Sequence, residues 1–182
     1  GNLDGDGIPD LVIGAPWDST VAVAAGRVDF VSTCPMPGIT YCTAKVNSCG
    51  VPPVIGATGA ASASATSGFV VSAVVARDGK LGVLFYSRSG RGAAPFQGGL
   101  LCVGVATGRR SPPVTSTGGT PGPACDATFA IDLNALASGQ LPGNHAAWLS
   151  TVGERINCQW WGRDTPATGS FMSDALEYTV CP

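Results

Sequence analysis

Short apolar runs, broken at close intervals by glycine, proline, serine and asparagine, dominate the hydropathy pattern of this chain. Leu11, Val12 and Ile13 form one such run, closed by Gly14 and Pro16, and a little further on Val28, Phe30 and Ser32 alternate with Arg27, Asp29 and Val31. Apolar runs of this length, and alternation with a period of two, predict strands. The same reading predicts strands at 68–77, 81–87, 99–106, 127–132, 146–151, 156–161 and 174–180, with one helical turn at 133–138. Between the first two of these, Arg77-Asp78-Gly79-Lys80 predicts a tight hairpin, because Asp-Gly supplies residues that tolerate φ > 0. The polar stretches 56–67 and 109–123 read as long loops or linkers, and the turn-rich segment 34–42 as a boundary. The expected fold is all-β: a disulfide-containing β-sandwich or jelly roll over 34–182, preceded by a short calcium-loop hairpin over 1–33.

Composition supports that class. Glycine (26) and proline (14) are frequent and charged residues make up only 12% of the 182 residues, which favours turns and strands over long helices. The formal net charge of −2 is unevenly placed: residues 1–18 hold Asp4, Asp6, Asp10 and Asp18 and no base, so the remainder carries +2. No Lys/Arg block points to nucleic acid, and no apolar run reaches the ~20 residues of a membrane-spanning helix. No signal peptide is seen, so the chain is expected to be a processed product or a fragment.

The acidic N-terminus has a specific chemistry. Asn2, Asp4, Asp6, the carbonyl of Ile8 and Asp10 place oxygen donors on every second residue, with Gly5 and Gly7 allowing the backbone to curl around a Ca²⁺ ion. An EF-hand would close with a bidentate glutamate at its twelfth position, which here is Ile13, and would be flanked by helices where this chain has strands. The stretch NLDGDGIPDLVIGAP, with Asn2 where an acid is usual, resembles the FG-GAP repeat of integrin-α-type β-propellers, a resemblance that extends to about Ser32. It implies a calcium loop between strands of a propeller blade. The chain departs from the pattern in holding at most one blade, and in lacking the Phe-Gly that normally precedes the loop.

Seven cysteines, Cys34, Cys42, Cys49, Cys102, Cys125, Cys158 and Cys181, include no C-x-x-C pair, and the single histidine, His145, cannot complete a Cys₂His₂ zinc site. Disulfides in an oxidising compartment are the expectation, with Cys42–Cys49 the first candidate pair and the other connectivity open. Segments YCTAKVNSCGVPP, LGVLFYSRSGRGAAPFQGGLLCVG, ATFAIDLNALASGQLPG, INCQWWGRDTP and MSDALEYTVCP together resemble an uncharacterised domain at the C-terminal ends of large secreted bacterial proteins. That resemblance implies an extracellular, non-catalytic module and brings no functional residues with it.

Three functional classes follow. The first is a structural or adhesive extracellular module whose partners are copies of itself or other cell-surface proteins, with residues 1 to about 33 packing on the sandwich of another copy to form a fibre. The second is polysaccharide binding through Trp160, Trp161 and Tyr178, helped by Arg163 and Asp164, although one core tryptophan and one packed under a loop or against an arginine is the simpler reading of QWWGRD. The third, a secreted hydrolase, has little to stand on. His145 lies in a Pro-Gly-Asn turn, Ser111 and Ser116 lack a G-x-S-x-G context, and Asp126 and Asp132 need a cleft to act together.

Overall fold

The nine-residue run 155–163 lies at the centre of the structure, because its two faces carry different side chains. Ile156, Cys158 and Trp160 point one way, and Asn157, Gln159 and Trp161 the other. The computed structural model describes residues 11–23, 25–31, 38–106, 115–116, 122–143 and 145–182. Its strands are β1 (Leu11–Ala15), β2 (Arg27–Val31), β3 (Ile39–Tyr41), β4 (Val54–Thr58), β5 (Val70–Ala76), β6 (Leu81–Ser87), β7 (Arg91–Phe96), β8 (Gly99–Val103), β9 (Thr115–Ser116), β10 (Ala127–Asp132), β11 (Arg155–Arg163) and β12 (Ser170–Thr179). A short helix α1 (Leu133–Ala137) and a 3-10 turn (Ala147–Ser150) complete the described elements.

The fold is all-β and antiparallel. A five-stranded sheet in the order β3-β12-β11-β6-β9 and a three-stranded sheet β10-β5-β4 bury one shared core, with α1 and the 3-10 turn beside it. Trp160, Tyr86, Leu84, Phe171, Ile156 and Leu176 enter the core from the larger sheet, and Val71, Ala73, Ile55 and Phe129 from the smaller. Phe129 stacks on Trp160 with ring centroids 5.2 Å apart. Room for Phe129 and Phe171 comes from paired glycines on adjacent strands, Gly82 of β6 opposite Gly162 of β11. A Cβ at Gly162 would lie 2.3 Å from the Phe171 ring, and one at Gly82 would lie 2.7 Å from the Phe129 ring.

A third layer covers the far side of β11. The β7–β8 hairpin brings Leu101 and Val103 onto Met172, with Phe85, Phe96 and Trp161 around them. Gln159, fully buried between sheet and hairpin, accepts from the Cys102 amide at 2.9 Å and donates to the carbonyls of Leu100 and Ser173 at 3.1 and 2.8 Å. Its Ser173 contact sits at a bulge in the β11–β12 ladder. There the Ser173 hydroxyl accepts from the Trp160 amide, so the local break in pairing leaves this donor satisfied. The bulge also changes parity: Leu176 and Tyr178 face the main core on one side of it, and Phe171 does so on the other.

Several expectations are corrected. Asp78-Gly79 forms a turn, but β5 and β6 do not pair; each belongs to a different sheet, and both edges of β5 are taken by β4 and β10. The turn therefore carries the chain across the sandwich. Residues 146–151 hold the 3-10 turn, since the buried Ala146 and Leu149 are three apart and the Leu149 amide donates to the Ala146 carbonyl at 3.0 Å. The stretch 56–67 is not all loop: β4 enters it, and Ser62 bridges to Cys181. The boundary segment 34–42 holds β3 at Ile39–Tyr41, with 34–37 outside the described residues, and most of 109–123 also lies outside them.

Candidate functional site

The β1–β2 hairpin pairs Leu11 with Val31 through Ala15 with Arg27, and among the described residues both strands pair only within this two-stranded sheet. Its connecting loop is organised by Asp18, whose carboxylate accepts from the amide (2.8 Å) and the hydroxyl of Thr20. Those bonds hold the Asp18 carboxyl below its usual range. Arg27 pairs with Asp29 at 2.8 Å. The apolar side chains stay uncovered: Leu11, Val12 and Ile13 are about half exposed, Val28 is 71% exposed and Trp17 81%. The expected calcium donors Asn2, Asp4, Asp6, Ile8 and Asp10 lie outside the described residues. As a set of hard carboxylate, amide and carbonyl oxygens they fit Ca²⁺ chemically. Among the described residues no group of three or more His, Cys, Asp or Glu could hold a metal.

Disulfides are present as expected, but the first candidate pair is not among them. Cys42 bonds to Cys102 and Cys49 to Cys125, with Cα separations of 6.2 and 6.4 Å. The proposed Cys42–Cys49 bridge is therefore wrong: those two residues leave in different directions, one to the β7–β8 layer and one to the segment entering β10. Cys181 is also disulfide-bonded, its partner lying outside the described residues. Cys158, a disulfide candidate by sequence, is a free thiol sealed in the core, and burial pushes its pKa up. Its place on the inward face of β11 puts it among apolar side chains.

The saccharide trio also divides. Trp160 is fully buried against Phe129, and Tyr178, 5% exposed, packs on Phe69 at 4.7 Å, so neither can meet a ligand. Period-two alternation turns Trp161 to the opposite face, where its indole N–H donates to the Gln97 side-chain carbonyl at 2.9 Å. There it lines an open cleft of about 690 Å³ with Lys80, Leu81, Gln97, Arg163 and the 164–169 loop. Cation–π contacts fall elsewhere, Arg88 on Trp148 and Arg91 on Tyr41. Sequence reasoning missed Gln97 and Lys80 as neighbours of Trp161; the signal for the first was Gln97-Gly98-Gly99, a turn between Phe96 and Leu100 that closes the β7–β8 hairpin.

The loop at 164–169 is firmly closed. The Asp164 carboxylate accepts from the Ser48 amide (2.7 Å), the Ser48 hydroxyl (2.6 Å) and the Thr165 amide (2.8 Å), and the Gly169 amide donates to the Thr165 carbonyl at 2.7 Å. Lys45 donates from Nζ to the carbonyls of Gln97 (2.7 Å) and Thr168 (3.3 Å), tying the two walls of the cleft together. The other residues weighed for catalysis have structural places or none described. Asp132 caps α1 through the Ala135 amide and also accepts from the Gly68 amide, Asp126 faces Asp78, and His145 is exposed. Ser111 and the Ser116 side chain lie outside the described residues.

Comparison with known families matches residues 1–31 to the FG-GAP repeat. The matched segment ends with β2, so it coincides with the hairpin unit and stops short of the sandwich. No curated protein and no solved structure matches the chain. An FG-GAP unit thus precedes an all-β, disulfide-bearing body, and both features are typical of proteins outside the cell. No helix among the described residues is long and apolar enough to cross a membrane.

Proposed function

We propose that this chain is a non-catalytic extracellular structural or adhesive module, in which a calcium-organised FG-GAP unit is carried by a disulfide-tied β-sandwich and packs on a second copy of the chain. The observation that supports this reading best is the uncovered hairpin: two strands whose apolar residues Leu11, Ile13 and Val28 are about half exposed or more, and whose outer edges carry no strand partner among the described residues. A lone two-stranded sheet is marginal in water, and an open edge invites pairing with another chain. A head-to-tail contact of this kind extends into a filament unless its rotation closes a ring. Asn2, Asp4, Asp6, the Ile8 carbonyl and Asp10 would hold the ion, which supplies the charge that lets three carboxylates gather in one short loop. The resemblance of 41–182 to C-terminal domains of large secreted bacterial proteins agrees with an extracellular setting.

Sedimentation velocity of the intact chain in millimolar Ca²⁺ and in EGTA tests this reading. Large, concentration-dependent species are expected with calcium and smaller ones without it, and deleting residues 1–33 is expected to leave a monomer. A monomer under all three conditions, with unchanged hairpin protection in hydrogen exchange, would show that neither calcium nor a second copy acts there.

A further inference from the structure

The cleft beside Trp161 is a separate feature, lying wholly in residues 79–169, and it goes beyond the role proposed for the hairpin. We propose that it binds a segment of an acidic, carboxylate-bearing polysaccharide, with one sugar ring on the Trp161 indole and its carboxylate on Arg163. Trp161 is a fixed platform: its N–H is held by Gln97, and its body packs beside Leu101, Val103 and Met172. The C–H face of a pyranose is apolar and matches an indole face, while its hydroxyls match the polar Gln97 side chain in the lining. Because both walls are braced through Lys45 and Asp164, little order has to be imposed on binding.

Charge selects the class of sugar. Lys80 and Arg163 line the cleft, and Arg163 is exposed at the end of β11. The one lining carboxylate, Asp164, has its oxygens turned to Ser48 and Thr165 and is only 6% exposed, so it offers little repulsion to an anion. A guanidinium beside an aromatic face pairs a carboxylate through two N–H donors while the ring stacks, a combination that neutral sugars use only in part. The cleft is open to solvent, which suits a stretch of polymer passing through.

Affinity electrophoresis of the full chain through gels containing polygalacturonate, uncharged dextran or dextran sulfate tests the proposal. Polygalacturonate is expected to retard the protein and dextran to leave it unaffected. Arg163→Gln removes one charge-assisted contact from a solvent-exposed position and is expected to weaken retention about tenfold. Trp161→Ala is expected to abolish it, and Trp161→Phe, which keeps an aromatic face and most of the packing, to retain part. Circular dichroism melts on each variant separate lost binding from lost folding. No retardation by polygalacturonate, equal retardation by dextran, or retardation by dextran sulfate that survives both Arg163→Gln and Trp161→Ala would each overturn the assignment.

Discussion

Strands of nearly the same composition meet opposite fates in the two parts of this molecule. Leu11, Val12 and Ile13 in β1 are about half exposed, whereas Val71 in β5, Leu84 in β6 and Ile156 in β11 are fully buried. Both regions carry apolar residues with strong strand preference, so the difference is not local. β5 and β11 each have two strand neighbours and an opposing sheet, and β11 has the β7–β8 layer on its other face as well. Among the described residues β1 has one strand neighbour and no opposing layer. Apolar patterning therefore marks which residues can form a core, and the presence of a second layer decides which of them do.

The sharpest way to break this comparison is to truncate one apolar side chain in each region. Trp160→Ala should lower the unfolding free energy by about 3–5 kcal/mol, the range for emptying a fully buried aromatic site. Ile13→Ala should change it by less than about 0.5 kcal/mol in the dilute protein, as an exposed substitution does. Urea titrations measure both, and a large, concentration-dependent cost at Ile13 would show that the hairpin is buried in an assembly.

An effect of similar size is expected from the Cys49–Cys125 bond, which joins residues 76 apart in sequence. Replacing both by serine should cost about 4 kcal/mol, the chain-entropy value for opening a loop of that length. The hairpin contains no cysteine, so its hydrogen-exchange protection should not change. Loss of protection in β1 and β2 would mean that the two regions are coupled.

The smallest expected effect is electrostatic. Arg91 pairs with Glu177 through Nε and Nη2, both at 3.1 Å, and Asn157 donates to the same carboxylate at 3.0 Å. The Arg91 hydrogen bond chiefly holds the Glu177 carboxyl below its ordinary range, against the opposing effect of burial. A depressed carboxyl stabilises the fold above its unfolded pKa of about 4.3, and that contribution is lost as pH falls through the folded value. Arg91 is about half exposed, so Glu177→Gln should cost only about 1 kcal/mol at pH 7 and less at pH 3. Equal losses at both pH values would assign the effect to packing.

Much of the organisation was legible in the residues themselves. β1, β2, β5, β6, β8, β10, β11 and β12 fall within or close to predicted runs, and the helical turn expected at 133–138 is α1. The elements that escaped have weak local signals. β3 and β9 are very short, β4 runs into Gly-Ala-Thr, and β7 contains Gly92 and Pro95. Such strands form because a neighbour supplies a hydrogen-bonding edge; β3, for example, adds to β12. The candidate site was legible as QWWGRD, where alternation separated the two tryptophans. Which one faced solvent depended on the layer each met.

The sequence by itself determined the all-β class, the FG-GAP unit at residues 1–31 and the presence of disulfides, because strand periodicity, a spaced motif and cysteine usage are each written within one chain segment or its composition. Tertiary structure alone decided that Asp78-Gly79 crosses between sheets, that Cys42 and Cys49 bond to Cys102 and Cys125 and not to each other, and that Trp161, Lys80, Gln97 and Arg163 share one cleft. Each of these depends on how residues tens of positions apart meet once the sheets pack. A local pattern restricts backbone angles and side-chain direction over a few residues; it carries no information about which distant edge or face will complete the contact.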